Sequence, residues 1–185
     1  MVLALRGAND VFRVHIITRG QRGQGEFVPA RYDPHVRLTL FSDYALRVLL
    51  YAGAHDERLV TVTEIADAYG ISRHHLVKVS QLLIHHGLVA SVRGRNGGLR
   101  LARTPSDINV GALVRQTEPD FHLVECFDLE TNTCAIAPVC DLKEVLHEAQ
   151  AGFLRVLDAY TLADLLANQR KFQKVWRERL ARKKV

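Results

Sequence analysis

Cysteine is confined to one short stretch of this 185-residue chain: Cys126, Cys134 and Cys140 are the only three. An odd, tightly clustered set argues against a disulfide framework, and thiols kept reduced and close together are more often metal or redox ligands. No apolar run approaches the ~18 residues of a membrane span, and no uninterrupted apolar segment of signal-peptide type opens the chain, so the expected location is the cytoplasm. Also missing are a Ser-His-Asp set, a phosphate-binding glycine loop and a nucleotide fingerprint, so nothing supports a cysteine- or metal-dependent enzyme. Acid is missing from one place in particular. Residues 71–105 hold Arg73, Lys78, Arg93, Arg95, Arg100 and Arg103 and no Asp or Glu, a local charge of +6.

From residue 106 to 169 the balance inverts, with eleven acidic residues against Arg115, Lys143 and Arg155, a sum of −8. This segregation suits a phosphate-binding face attached to a non-binding half, because phosphate contacts supply most nonspecific affinity for DNA. The total charge of +5 points the same way, and 48% hydrophobic content is enough for one ordinary domain core.

Residues 1–35 are rich in Gly and Arg without sustained periodicity and read as a poorly ordered arm. A helix is expected from Leu38 to near Gly53, with Ser42 as its cap and Asp43 on its positive dipole end. A second begins at Thr63 and breaks at Gly70. Ser72 then caps a third, whose Leu76, Val79, Leu82 and Leu83 form the apolar stripe and leave Arg73, His74, His75 and Lys78 on another face. Basic first turns after a glycine turn are the arrangement of a helix-turn-helix recognition helix. Residues 88–93 and 99–103 have strand composition and flank Arg93, Gly94, Arg95, Asn96, Gly97 and Gly98. Asn-Gly predicts a type I′ hairpin turn, and the whole reads as a wing whose glycines permit close backbone approach to DNA. Asn109 caps a short helix over residues 110–117, and an irregular loop carries the cysteines.

Leu142, Leu146, Ala149, Phe153, Val156 and Tyr160 recur in steps of four and three, the seam of a dimer-forming helix. Thr161 and Asp164 resemble a capping box for a helix over residues 162–181, basic enough to read as a solvated tail in which Trp176 offers an apolar anchor. The fold class is therefore mainly α with a small β-hairpin wing. Its parts are residues 1–35 (arm), 36–105 (winged helix-turn-helix), 106–140 (short helix and cysteine loop), 141–160 (dimerisation helix) and 161–185 (basic helix or tail).

The cysteine order is Cys-x7-Cys-x5-Cys. A structural zinc site usually shows closely spaced cysteine pairs, so zinc is disfavoured. Wider spacing on a loop suits an iron-sulfur cluster, with a carboxylate, a histidine or a small molecule as fourth ligand. Three buried apolar thiols are the plainer alternative.

The run from Arg37 through Thr39, Phe41, Ser42, Asp43 and Tyr44 to Arg47, the run from His75 to Val79, the wing from Val92 to Leu99 and the cysteine loop together resemble the Rrf family of winged-helix regulators over residues 36–166. The first cysteine gap points to its nitric-oxide-sensing branch rather than to its iron-sulfur biogenesis regulators. The resemblance implies a homodimer with one 2Fe-2S or 4Fe-4S cluster per subunit, bound to an operator in double-stranded DNA and released when nitric oxide attacks. Such a repressor controls nitric oxide detoxification genes; an iron-status regulator of the same architecture is the alternative. Cys126, Cys134 and Cys140 match the cluster cysteines, and Asp43 matches an aspartate that serves as fourth ligand from the partner subunit, with His122, Glu125 and Asp128 as local substitutes. Family members begin Met-Arg-Leu-Thr, and here Val36 precedes Arg37, Leu38 and Thr39. Val36 is accordingly expected as an alternative start.

Overall fold

The computed structural model describes residues 37–182; the arm expected over residues 1–35, with its start-site question, lies outside them. Helix α1 (Leu40–Gly53) is capped by Thr39, whose hydroxyl accepts from the Ser42 amide at 3.3 Å. Ser42, expected as the cap, stands instead inside the first turn, fully buried, with its hydroxyl 2.7 Å from that of Thr117. A buried hydroxyl without a partner costs about 1–3 kcal/mol, so this pair ties the start of α1 to the helix that carries Thr117.

Helix α2 (Val62–Tyr69) is capped by Thr61 and ends at Gly70, whose φ of 69° is the left-handed conformation that glycine adopts without steric cost. Helix α3 (Arg73–His85) follows after two residues. Ser72 holds its N-cap position, although its side chain makes no capping hydrogen bond. Leu76, Val79 and Leu83 turn inward at helical spacing, and α1 with α2 supplies the facing Val48, Leu49 and Ile65.

Strands β1 (Val89–Val92) and β2 (Gly98–Leu101) pair antiparallel with Val92 opposite Gly98. That register leaves five connecting residues, so the expected two-residue type I′ turn at Asn96-Gly97 does not form. Gly94 takes the positive φ (113°), the Gly97 amide bonds the Gly94 carbonyl at 3.0 Å, and a Cβ on Gly97 would run into the Val92 carbonyl oxygen. Val60 exchanges two backbone hydrogen bonds with Leu99 (3.0 and 2.7 Å), which pins the wing to the segment before α2.

Helix α4 (Val110–Thr117) is capped by Asn109, as expected, with its Oδ1 accepting from the Ala112 amide at 2.8 Å. The cysteine loop follows, then α5 (Asp141–Asp158), which buries none of its residues. The helix expected over residues 162–181 is broken in two. Helix α6 (Leu162–Leu166) starts from a complete capping box of Thr161 and Asp164, and α7 (Gln169–Arg182) begins after a two-residue break. These helices are not a solvated tail. Leu162 and Leu166 join the core, and Trp176, 7% exposed, sits among Tyr51, Tyr69 and Phe172 with ring centroids 4.7, 5.5 and 5.9 Å away. The Gln173 side-chain amide also donates to the Ala54 carbonyl at the end of α1. The basic outer face of α7 is visible in the sequence; that its apolar stripe closes the winged-helix core is not. Among the described residues, no helix is long and apolar enough to cross a membrane.

Candidate nucleic-acid interface and cysteine loop

The N-terminal turns of α3 project Ser72, Arg73, His74, His75 and Lys78 into solvent, opposite the buried Leu76–Val79–Leu83 stripe. His75 also stacks on Tyr44 of α1, with centroids 6.2 Å apart. On the wing, Arg93, Arg95 and Asn96 are exposed, while Gly97 is half-buried under the turn. Among the described residues, none of Arg73, Lys78, Arg93 and Arg95 is in an ion pair. Four unpaired cations on two neighbouring elements leave a positive field whose natural counter-ion is a phosphate. Arg103 is different. Its Nε donates to the Gly87 carbonyl (3.0 Å) and its Nη2 to that of His86 (3.1 Å), so this exposed side chain caps the C-terminus of α3.

The loop after α4 is held by its own acids. Glu125 accepts from both the hydroxyl and the amide of Thr133 (2.6 Å each), and Asp128 accepts from the Thr131 hydroxyl (2.6 Å) and the Glu130 amide (3.0 Å). These donors hold both carboxyls below their ordinary range. Asn132 accepts from the Cys134 amide at 3.0 Å, and Phe127, beside Cys126, lies flat on His147 of α5 with centroids 3.8 Å apart. The His147 contact has no sequence signal, because twenty residues separate the two rings.

All three thiols are free; Cys126 and Cys140 are half-buried and Cys134 is exposed. Cys140 occupies the N-cap position of α5. Among the described residues, no three Cys, His, Asp or Glu side chains converge as a metal site needs. The donor chemistry nonetheless fits an iron-sulfur cluster, since three free thiols share one loop and soft sulfur ligands suit such iron. Glu125 and Asp128 are engaged in the turns just described. Asp43 stands in the first turn of α1, half-exposed, with both oxygens on Arg47 (2.9 and 2.7 Å), and it does not converge with the thiols of its own chain.

The start of the loop is fastened, and so is the far end of the helix that follows it. Glu118, its first residue, accepts from the Thr39 amide (2.9 Å) and hydroxyl (3.2 Å) at the start of α1. At the far end of α5, Asp158 receives a two-pronged contact from Arg115 of α4 (2.5 and 2.7 Å), and the Asn109 side chain donates to the Asp158 carbonyl (2.7 Å).

Residues 38–168 match the model of the Rrf2 family, described as an iron-dependent transcriptional regulator. The chain belongs to the Rrf2 family of transcriptional regulators. Among its Rrf2 relatives is the HTH-type transcriptional regulator NsrR of Halalkalibacterium halodurans, 51% identical over 139 residues, which cover 75% of this chain and 95% of that protein. The HTH-type transcriptional regulator NsrR of Bacillus subtilis is 48% identical over 141 residues, 76% of this chain and 97% of its own. Solved structures agree on the winged-helix fold. IscR of T. potens superposes with a TM-score of 0.59 at 29% identity, covering 72% of this chain and 88% of that one. CymR (YrzC), the global cysteine regulator of B. subtilis, gives 0.58 at 28%, covering 72% and 98%. One scaffold thus serves a global cysteine regulator as well as other transcriptional regulators, and the signal each reads must lie in its own site residues.

Proposed function

We propose that this protein is a homodimeric repressor that binds an operator in double-stranded DNA and senses nitric oxide through an iron-sulfur cluster on Cys126, Cys134 and Cys140, controlling nitric oxide detoxification genes. The observation that carries this reading is the trio of free thiols on one loop whose ends are fastened to the DNA-binding half and to α5. The NsrR relatives at about half identity support the same signal.

Ser72, Arg73, His74, His75 and Lys78 enter the major groove at the N-terminal end of α3, where recognition helices read base edges. Arg93, Arg95 and Asn96 follow the backbone beside it, and Gly97 lets the wing backbone come close. Leu142, Phe153 and Val156, exposed on α5, and Tyr160 just beyond its C-terminus pack on the same face of a second copy and set the spacing of the two α3 helices. Asp43 is the fourth ligand offered to the neighbouring copy's cysteine loop, and its exchange with Arg47 sets how readily it is given.

Bound there, an iron-sulfur cluster supplies thiolate-ligated iron that nitric oxide attacks. The chain's own residues carry the rest. Because Cys140 heads α5 and Glu118 holds the start of α1, a displaced loop pulls on the dimer seam and on the winged-helix half together. Two recognition helices moved out of register with half-sites one helical turn apart no longer bind both.

The test is anaerobic purification with visible absorption and iron analysis, followed by binding to the DNA upstream of its own gene during titration with nitric oxide. Coloured protein that binds and is released by nitric oxide is expected, and Cys140→Ala is expected to lose the cluster entirely while keeping its helix content. Colourless, iron-free protein that binds tightly and ignores nitric oxide would overturn the reading. Iron-dependent binding that ignores nitric oxide would make it an iron-status regulator.

A further inference from the structure

Helix α7 lies beyond the residues matched by the family model, and it is far more basic than a helix serving only to cover a core needs to be. Its inward stripe of Phe172, Trp176 and Leu180 seats it on α1 and α2. From the Gln173 contact with Ala54 at the end of α1, it runs toward the helix-turn-helix turn, where the Arg179 guanidinium fills the space that a Cβ on Gly70 would need. Gly70 stands two residues before Ser72, the N-cap of the recognition helix. The C-terminal end of α7 is therefore fixed beside the end of α3 that faces DNA.

Charge runs the same way. Arg179 and Arg182 are one turn apart and exposed, neither is in an ion pair among the described residues, and Glu178 is the only acid from residue 169 to the end of the chain. Helix α2, which packs against α7, brings Glu64 and Asp67, of which Glu64 is bound to Arg58 and Tyr51, and α3, which packs on α2, carries no acid. A rigid cationic end that continues an already positive face fits a polyanion that extends past that face.

Given the DNA-binding reading above, we infer that the C-terminal end of α7 is a second phosphate-binding element, in which Arg179 and Arg182 grip the DNA backbone alongside the groove occupied by α3. Gly70 has a specific part in this: its missing side chain lets Arg179 lie across the turn, in reach of the strand that flanks the recognition helix. The contact is to phosphate, so it adds affinity uniformly and carries no base preference.

The test measures binding of the full-length protein to a mixed-sequence duplex of about 40 base pairs across a range of salt concentrations, because phosphate contacts do not require the operator. Arg179→Gln with Arg182→Gln should flatten the plot of log affinity against log salt by about two units, one for each phosphate no longer neutralised, and replacement of both by Lys should restore the slope. Thermal unfolding measured in parallel should be unchanged, since both side chains are exposed. An unchanged slope in the Gln variant, or weaker binding with the slope intact, would overturn the inference and leave α7 as packing alone. Loss of binding in Arg73→Ala with Lys78→Ala but not in the α7 variant would sink this element only. A wild-type protein that binds no duplex at any salt would remove the DNA-binding reading itself.

Discussion

The winged-helix half and the cysteine half of this chain are built on opposite principles. In the first, α1, α2, α3, the wing, α6 and α7 bury one continuous cluster that includes Val48, Leu49, Ile65, Leu83 and Trp176. In the second, α5 runs for eighteen residues without burying one, and its loop is held by carboxylate turns and by the stacking of Phe127 on His147. Apolar burial, at roughly 25 cal/mol per Å², is the main stabilising term of the first half. A long helix with Leu142, Phe153 and Val156 in solvent is the signature of a surface that is finished by another molecule. The difference teaches where signals can enter: the half that lacks its own core is the half whose state a ligand or a second copy can decide. Helix α4 joins them, through Thr117 on one side and Arg115 on the other.

The contrast is sharpest in a pair of truncations. Trp176→Ala should cost about 3–5 kcal/mol in urea unfolding, the usual range for a buried large aromatic. Phe153→Ala, at a residue 45% exposed, should cost under about 1 kcal/mol at low protein concentration, and more as concentration rises and a second copy covers α5. Equal, concentration-independent costs would break the comparison, because both rings would then belong to one core.

A smaller effect tests the joint. Thr117→Val keeps the side-chain volume but leaves the Ser42 hydroxyl buried without its 2.7 Å partner, at a cost of about 1–2 kcal/mol in the same assay. The double variant with Ser42→Ala should recover part of that loss, since no unpaired hydroxyl then remains.

The smallest effect is local and concerns pH. Thr133 holds the Glu125 carboxyl, and Thr131 with Glu130 holds that of Asp128, below the ordinary values of 4.5 and 3.8. Lowered native values mean that the ionised forms favour the ordered loop. That contribution is complete above the ordinary values and is lost as pH falls through the lowered ones. The amide NMR signals of Thr133 and Glu130 should therefore titrate with midpoints below those of free carboxylates, while signals from the α1–α3 core stay still.

Much of this architecture is legible in the chain because helix boundaries are written locally. Asn109, Gly70 and the Thr161–Asp164 box act on the nearest backbone groups, so spacing alone reveals them. The α1 cap is not legible in the same way, because Ser42 and Thr39 can both cap a helix and the choice between them depends on Thr117, seventy-five residues from Ser42. The wing turn escapes for a similar reason: Asn-Gly favours a tight hairpin, but the pairing of Val60 with Leu99 and of Val92 with Gly98 sets a longer connection.

By itself, the sequence determined the chemistry: three thiols in one stretch, a cationic segment free of acid, and an apolar seam at helical spacing. Composition and periodicity carry these because each depends only on which residues stand near one another along the chain. Only the tertiary structure decided that Arg103 caps α3, that Phe127 lies on His147, and that the basic C-terminus folds back to complete the core through Trp176. Those contacts join residues far apart in the chain, and their energy comes from burial and hydrogen bonding that exist only once the helices have packed.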